Sequence, residues 1–331
     1  MTVSIRTIAE KAQVSPSTVS RALRDDPRIS AETRALVQTL ARELGYVPSQ
    51  VARSLVLRRT HTLGVVATTV ADPYVSQVTA GIEQAAAAAG YTVLLATSNG
   101  SAEQELRAID TLRQRQVDAL LVVSSRAGEL YASLLPNLEQ PLVTINSPRI
   151  DGHNYSVRTD TAQGSWLATQ HLLELGHHRI AFIGGPPAGH SSAQRRAGYL
   201  AALAQAGLAP DHRLLLPGAG EADDGRRAFP WLMDLGATGV VCYNDLTALG
   251  VLAAALDAGL AVPQELSIVG IDNLPVGTLV RPQLTTVDQR TVELGQQAVA
   301  VALAAIQGEE PADVVLESQL VVRASTGEPV L

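Results

Sequence analysis

Apolar positions along the chain follow two different rhythms. The first 45 residues show helical spacing alone, starting with Thr7 to Ala12, where Ile8, Ala9 and Ala12 recur at the period of one helix face. Ser15 followed by Pro16 is an N-cap with proline at the first helical position, so a second helix is predicted through Ser17 to Leu23 after only a short turn at Gln13 and Val14. Ser30 caps a third helix from Ala31 to about Leu44, which Gly45 ends in the C′ role. Ala9, Val14, Val19, Leu23, Ile29, Val37 and Leu40 are the expected core of this small unit.

From Leu63 onward short apolar runs alternate with helical stretches. The runs Leu63 to Ala67, Thr92 to Ala96, Ala119 to Val123 and Leu142 to Ile145 read as apolar strands, separated by helices over 75–89 and 103–115. A second series follows, with strands at Arg179 to Ile183, Arg213 to Leu216, Gly239 to Cys242 and Ser267 to Ile271. Helices are predicted between them near 162–175, 192–206, 222–234 and 245–258. Such alternation predicts an α/β body of two doubly wound parallel sheets.

Composition narrows the function classes. With 331 residues, 46% hydrophobic and 17% charged, the chain has material for two or three domains and is not a disordered sequence. Cys242 is its only cysteine, which excludes an internal disulfide and a thiolate metal cluster. His171, His177 and His178 have no companion ligands at metal spacing, so they read as packing residues and no metal or cofactor is expected. Residues 1 to 20 lack the apolar segment of a secretory signal, and the uncharged stretch 84–102 is too interrupted to span a membrane. A cytoplasmic protein is the expectation.

Charge separates the two parts. Ten Arg or Lys face five acids in residues 1–60, whereas residues 61–331 hold 15 basic and 27 acidic side chains, so a basic head precedes an acidic body. A basic face alone is commonly just a solvated surface. Two short helices joined by a tight turn with a third across them, however, make a helix-turn-helix, and Pro16, Ser17, Thr18, Ser20 and Arg21 remain on the outer face of its second helix. Small hydroxyl side chains ending in a bidentate donor suit base edges and phosphates, which makes double-stranded DNA the candidate partner.

In the body, ligands of open α/β sheets collect beyond the carboxyl ends of strands. The residues there are Asp72-Pro73-Tyr74, Asn146, Asp160, the loop from Gly184 to Arg195, Asn244-Asp245 and Asp272-Asn273. Carboxylates, amides and one arginine suit a hydroxyl-rich small molecule. Each also has a structural reading: Asp272 could cap a turn, and Arg195 could pair with an acid on its own helix. No catalytic motif appears: G-x-S-x-G and H-E-x-x-H are absent, Gly218-Ala219-Gly220 lacks the third glycine of a dinucleotide fingerprint, and Lys11 is the sole lysine. An enzyme is therefore not expected, and a transport-type sugar-binding protein would not carry the basic head.

The head resembles the lactose-repressor (LacI/GalR) family of transcription regulators. The resemblance rests on Ile8-Ala9-Glu10-Lys11-Ala12, the run Val14 to Leu23, Gly45-Tyr46-Val47-Pro48 and Ala52-Arg53-Ser54-Leu55, with Gln13 replacing a turn glycine and Ser49 an asparagine. It implies DNA contacts from Thr7, Ser15, Pro16, Ser17, Thr18, Ser20, Arg21, Ser30 and Arg53. It also implies a hinge helix whose Leu55 enters the minor groove; a plain linker with Leu55 and Val51 docked on the body is the alternative.

Resemblance extends over the body through Glu174 to Ala181, Arg195 to Tyr199, Asn244-Asp245, Val269 to Asn273 and Leu284 to Val287. It implies a periplasmic-binding-protein-like core, with effector contacts at Tyr74, Asp160, Ser191, Arg195, Asn244 and Asp272 beside the strand-end residue Asn146. Val75 and Gly220 stand where the family often has aromatics. The implied organisation is a DNA-binding domain at 1–48, a hinge and linker at 49–60 and a core at 61–331. Lobe one of that core takes about 61–158 and 287–318, and lobe two about 159–286 and 319–331. The implied function is a homodimeric regulator, a repressor, controlled by a sugar or sugar derivative. A nucleoside, purine or phosphorylated corepressor is the alternative, and a sugar-processing enzyme on the same core a more distant one.

Overall fold

The computed structural model describes residues 3–46, 59–131, 138–147, 149, 154–187 and 189–330. They form two compact units, Met1–Thr60 and His61–Leu331.

The first unit holds helices α1 (Ile5–Ala12), α2 (Pro16–Ala22) and α3 (Ala31–Glu43). Each starts at a serine. The Ser4, Ser15 and Ser30 hydroxyls accept the backbone N–H of Thr7, Thr18 and Thr33 at 3.4, 3.1 and 3.2 Å, satisfying donors that a helix start leaves free. Because Ser4 supplies a cap, α1 begins two residues earlier than its hydrophobic pattern indicates. Gln13 adopts φ 52° and ψ 40°, the left-handed conformation that glycine takes without strain, at a cost of about 1 kcal/mol. Ile8, Val19 and Val37 are fully buried together with Ala9, Ala12, Ala22 and Ala41. Val14, Leu23, Ile29 and Leu40, expected in this core, are half-buried around it.

The second unit begins with β1 (Thr62–Ala67), α4 (Pro73–Ala88), β2 (Thr92–Thr97), α5 (Ala102–Gln114), β3 (Ala119–Val123), β4 (Leu142–Ile145) and β5 (Tyr155–Thr159). These strands form one parallel sheet, which β11 (Val314–Leu316) completes in the order β11-β5-β4-β3-β1-β2. α6 (Thr161–Glu174), β6 (Ile180–Ile183), α7 (His190–Gln205), β7 (Leu215–Leu216), α8 (Ala222–Asp234), β8 (Gly239–Cys242), α9 (Asp245–Asp257) and β9 (Ser267–Val269) build the second lobe around a parallel sheet ordered β7-β6-β8-β9. β10 (Thr286–Asp288) pairs antiparallel with β12 (Gln319–Val321).

The chain passes between the lobes three times: from β5 to α6, from β10 to α10 (Thr291–Ile306), and from β11 to β12. α10 returns to the first lobe, where Leu294, Ala298 and Val299 are buried with Val78 and Ile82 of α4. The two helices touch backbone to backbone, since a Cβ at Gly81 would lie 2.0 Å from the Val292 carbonyl and one at Gly295 would lie 2.2 Å from that of Val78. Any larger residue there forces the helices apart.

Up to Val269, three elements differ from the hydrophobic pattern. β5 was not expected, because Tyr-Ser-Val-Arg-Thr alternates polar residues as an apolar run does not. The strand expected over 213–216 shrinks to two residues behind a 3-10 turn at His212–Leu214, and the one expected over 267–271 stops at Val269. Beyond it Asp272 has φ 125°, far from strand geometry.

Candidate functional site

Between the lobes, the N-terminal turns of α4 and α7 and the chain just after β4 and β9 bring Tyr74, Asn146, Arg195 and Asp272 into one buried polar cluster. Tyr74 begins α4, where Asp72 accepts the Tyr74 backbone N–H at 2.9 Å and Pro73 sets the first helical turn. Its phenol is hydrogen-bonded by the Asn146 amide, and the Asn146 carbonyl oxygen accepts the Thr159 backbone N–H at 2.8 Å. The end of β4 is thereby tied to the end of β5.

Arg195 extends from the second turn of α7. Its guanidinium lies 3.3 Å from the Asp272 carboxylate, donates to the Tyr243 carbonyl, and sits 4.3 Å from the centroid of the Tyr243 ring. Gln289, just after β10 and 1% exposed, donates its amide N–H to the same Asp272 oxygen. Asp272 is thus neither a turn cap nor a surface acid; it joins α7, β9 and β10.

Burial controls the charges here. It pushes the Asp272 carboxyl up to about 8, assisted by the neighbouring Asp245 and Asp72 and opposed by Arg195 and the Gln289 amide. Asp245 rises to about 6 for the same reason, although Thr286 donates to it at 2.5 Å and the Leu274 backbone at 2.7 Å. Burial also raises Asp72 and the Tyr74 phenol. A carboxyl titrating near neutrality can donate a hydrogen bond as well as accept one, which suits hydroxyl partners.

Two cavities flank the cluster. One of about 470 Å³ is lined by Asn146, Arg158, Asp160, His190, Ser191 and Gln194, among others, and thus contains two of the expected contact residues besides Asn146. Asp160 also caps α6 by accepting the Gln163 N–H at 2.9 Å. The other, about 460 Å³, is lined by Asp72, Arg126, Tyr243 and Asn244 and by both lobes. Asn244 spends its side chain on structure: its oxygen accepts the Thr247 N–H at 2.9 Å, and its amide donates to the Gly220 carbonyl at 2.8 Å. All seven residues expected at the site therefore lie in the cluster or on these walls. Tyr243, Gln289 and Arg126 were not expected, although post-strand position, the signal that marked the others, also applies to Tyr243 and Arg126 after β8 and β3.

In the first unit Pro16, Ser17 and Arg21 are exposed on α2, while Thr18 and Ser20 are half-buried beside the fully buried Val19. The Ser15 hydroxyl is shared among Ser17, Thr18 and the Thr18 N–H, at 2.7, 2.9 and 3.1 Å. Thr7 closes a capping box with Ser4, and Ser30 caps α3. Helix starts thus absorb three of the expected contact hydroxyls and Ser17 is bonded to Ser15, leaving the exposed Arg21 as the freest donor of the face. Arg53 and Leu55 lie outside the described residues.

Comparison with known proteins places these two units. Residues 4–49 match the family model for bacterial regulatory proteins of the lacI family, and residues 169–326 that for a periplasmic binding protein-like domain. The chain is 33% identical over 328 residues to the HTH-type transcriptional repressor CytR of Escherichia coli K12, covering 98% of this chain and 96% of that protein. The structure of the lac repressor dimer bound to operator and the anti-inducer ONPF superposes with a TM-score of 0.87 at 27% identity, covering 99% of this chain and 100% of the other. A complex of the transcriptional regulator CelR with cellobiose gives 0.75 at 30% identity, covering 98% and 99%. With an exposed helix-turn-helix face and a ligand-sized polar cleft on one chain, this protein belongs to the lacI family of bacterial regulatory proteins and is a DNA-binding transcriptional regulator, not an enzyme.

Proposed function

We propose that this protein is a cytoplasmic repressor that binds a near-palindromic operator as a homodimer and is switched by a hydroxyl-rich small molecule, a sugar or sugar derivative, held between its lobes. The observation that carries the reading is the buried cluster of Arg195, Asp272, Tyr74 and Asn146 between two polar cavities. Desolvated donors and acceptors of this kind strongly prefer a ligand that completes their hydrogen bonds. The Gln289 carbonyl oxygen and the Arg195 Nε are buried without partners among the described residues. The lac repressor bound to operator and CelR bound to cellobiose support the DNA and sugar parts of the proposal.

Coupling follows from the three passages between lobes. A ligand that binds one arrangement of the lobes more tightly shifts the population toward it, and the first lobes of the dimer then bring the DNA-reading units together or apart. Ser17 and Arg21 read bases in this scheme, with Leu55 as the minor-groove wedge. A thermal-shift screen of sugars, nucleosides and sugar phosphates tests the ligand class. Stabilisation by sugars, lost in Asp272→Ala, supports it; stabilisation by nucleosides alone replaces it with the corepressor alternative.

A further inference from the structure

The loop after β3 brings a cation into the cleft that the cluster above does not use. Glu105 of α5 is 1% exposed and directs its carboxylate at this loop, accepting the hydroxyls of Ser125 and Tyr131 at 2.5 Å each and the Arg126 backbone N–H at 2.8 Å. The Ser125 N–H is bound in turn by the Ser147 hydroxyl at 2.9 Å. A buried carboxylate satisfied by three donors of one short segment fixes that segment firmly. The Arg126 side chain leaves it toward the second lobe, where its Nη1 lies 2.9 Å from the place a Gly189 Cβ would occupy.

Arg126 lines the cavity of about 460 Å³ together with two acids, Asp72 and Glu221. Both acids stand at helix starts. Asp72 caps α4 and is pushed toward its neutral form by burial, against the opposing charges of Arg195 and Arg126, and Glu221 is exposed at the N-cap of α8. Helix N-termini offset negative charge. The Arg126 guanidinium, by contrast, makes no hydrogen bond or ion pair among the described residues. It is the charged group of this cavity whose donors are unspent, and a planar guanidinium fits phosphate and carboxylate oxygens in a two-pronged contact.

We infer that Arg126 is a specificity-determining residue that binds an anionic substituent, phosphate or carboxylate, on the molecule held in this cleft, an assignment that rests on the cleft being the effector site. The hydroxyl-bearing part of such a ligand occupies the Asp272 and Asn146 side, and the anion the Arg126 side.

The test uses the full chain and calorimetry at constant ionic strength, with inorganic phosphate as the first probe, then glucose, glucose 6-phosphate and glucuronate. Phosphate should bind the wild type in the millimolar range and at least fivefold more weakly to Arg126→Ala, with Arg126→Lys restoring part of the loss through a compact cation. Glucose 6-phosphate exceeding glucuronate assigns the anion as phosphate, and the reverse order as carboxylate. Absence of phosphate binding to the wild type, or equal binding to Arg126→Ala, overturns the inference. The cleft reading fails on a different result: every bound ligand still alters DNA affinity in Arg195→Ala and Asp272→Ala.

Discussion

In the head, the hydroxyls of the candidate residues bond within three positions of themselves, as Ser15 does with Ser17 and Thr18, and the face they share is exposed or half-buried. In the cleft, Arg195 and Asp272 meet across 77 positions, Tyr74 and Asn146 across 72, and all four are buried. The head keeps its donors hydrated and gains specificity only when bases replace water. The cleft has already excluded water from its charged groups, and a ligand there meets fixed, desolvated partners. The two regions should therefore fail separately and with different signatures.

The largest expected effect is on ligand response. Asp272→Ala and Arg195→Ala should each weaken ligand binding at least about 100-fold, near 3 kcal/mol, while operator affinity without ligand stays within about twofold. Calorimetry and DNA-binding anisotropy read the two arms. A variant that binds ligand normally is not part of the site.

Next comes pH. Asp272 and Asp245 have folded values of about 8 and 6 against 3.8 for the ordinary carboxyl, so the unfolded chain releases these protons first as pH rises. Their contribution to stability is complete below about pH 4 and is lost upward, through about 6 for Asp245 and about 8 for Asp272. Asp272→Asn, which keeps the shape without the charge, should lose less melting temperature than wild type between pH 6 and 9. Parallel melting curves contradict this assignment of charge.

On the head, Arg21→Ala and Ser17→Ala should reduce discrimination between operator and random DNA by about 1 to 3 kcal/mol for each base edge that is no longer read, whereas Arg6→Ala should mainly lower the salt slope by about one. None of the three changes should alter ligand affinity. A uniform weakening across sequences for Arg21→Ala would assign it to phosphate. The smallest effect is Ser15→Ala, which removes the α2 cap and should cost the head about 1 kcal/mol in hydrogen-exchange stability without touching exchange in the cleft.

Legibility in the sequence followed the range of the interactions. Serine caps, Pro16 and the turn before α2 are local signals, and the three helices of the head were readable to within two residues. β1, β3 and β4 were readable as apolar runs because a parallel sheet buries both faces of its inner strands, whereas the edge strand β2 shows the run Val93 to Ala96 while staying partly exposed. β5 alternates polar residues, and β7 is two residues long, too short for any pattern. Arg195 and Asp272 could be named from their place after strands. Their partner Gln289 could not, because it follows β10 on the second passage between lobes, where pairing depends on the return of α10 and β12 and not on nearby sequence. Val14, Leu23, Ile29 and Leu40 pack against the head core but stay half-buried for a related reason: spacing identifies a face but not how far the third helix covers it.

A molecule bound between the lobes should change DNA affinity through Arg195 and Asp272. The most direct measurement selects an operator from random DNA with the full-length protein, then compares affinity for it with and without a ligand from the thermal-shift screen, in wild type and Asp272→Ala. The selected site should be near-palindromic, wild-type affinity for it should shift at least tenfold with ligand, and Asp272→Ala should bind the same site equally well with or without ligand. An affinity that ligand binding leaves unchanged in wild type, or a response that persists undiminished in Asp272→Ala, would contradict this.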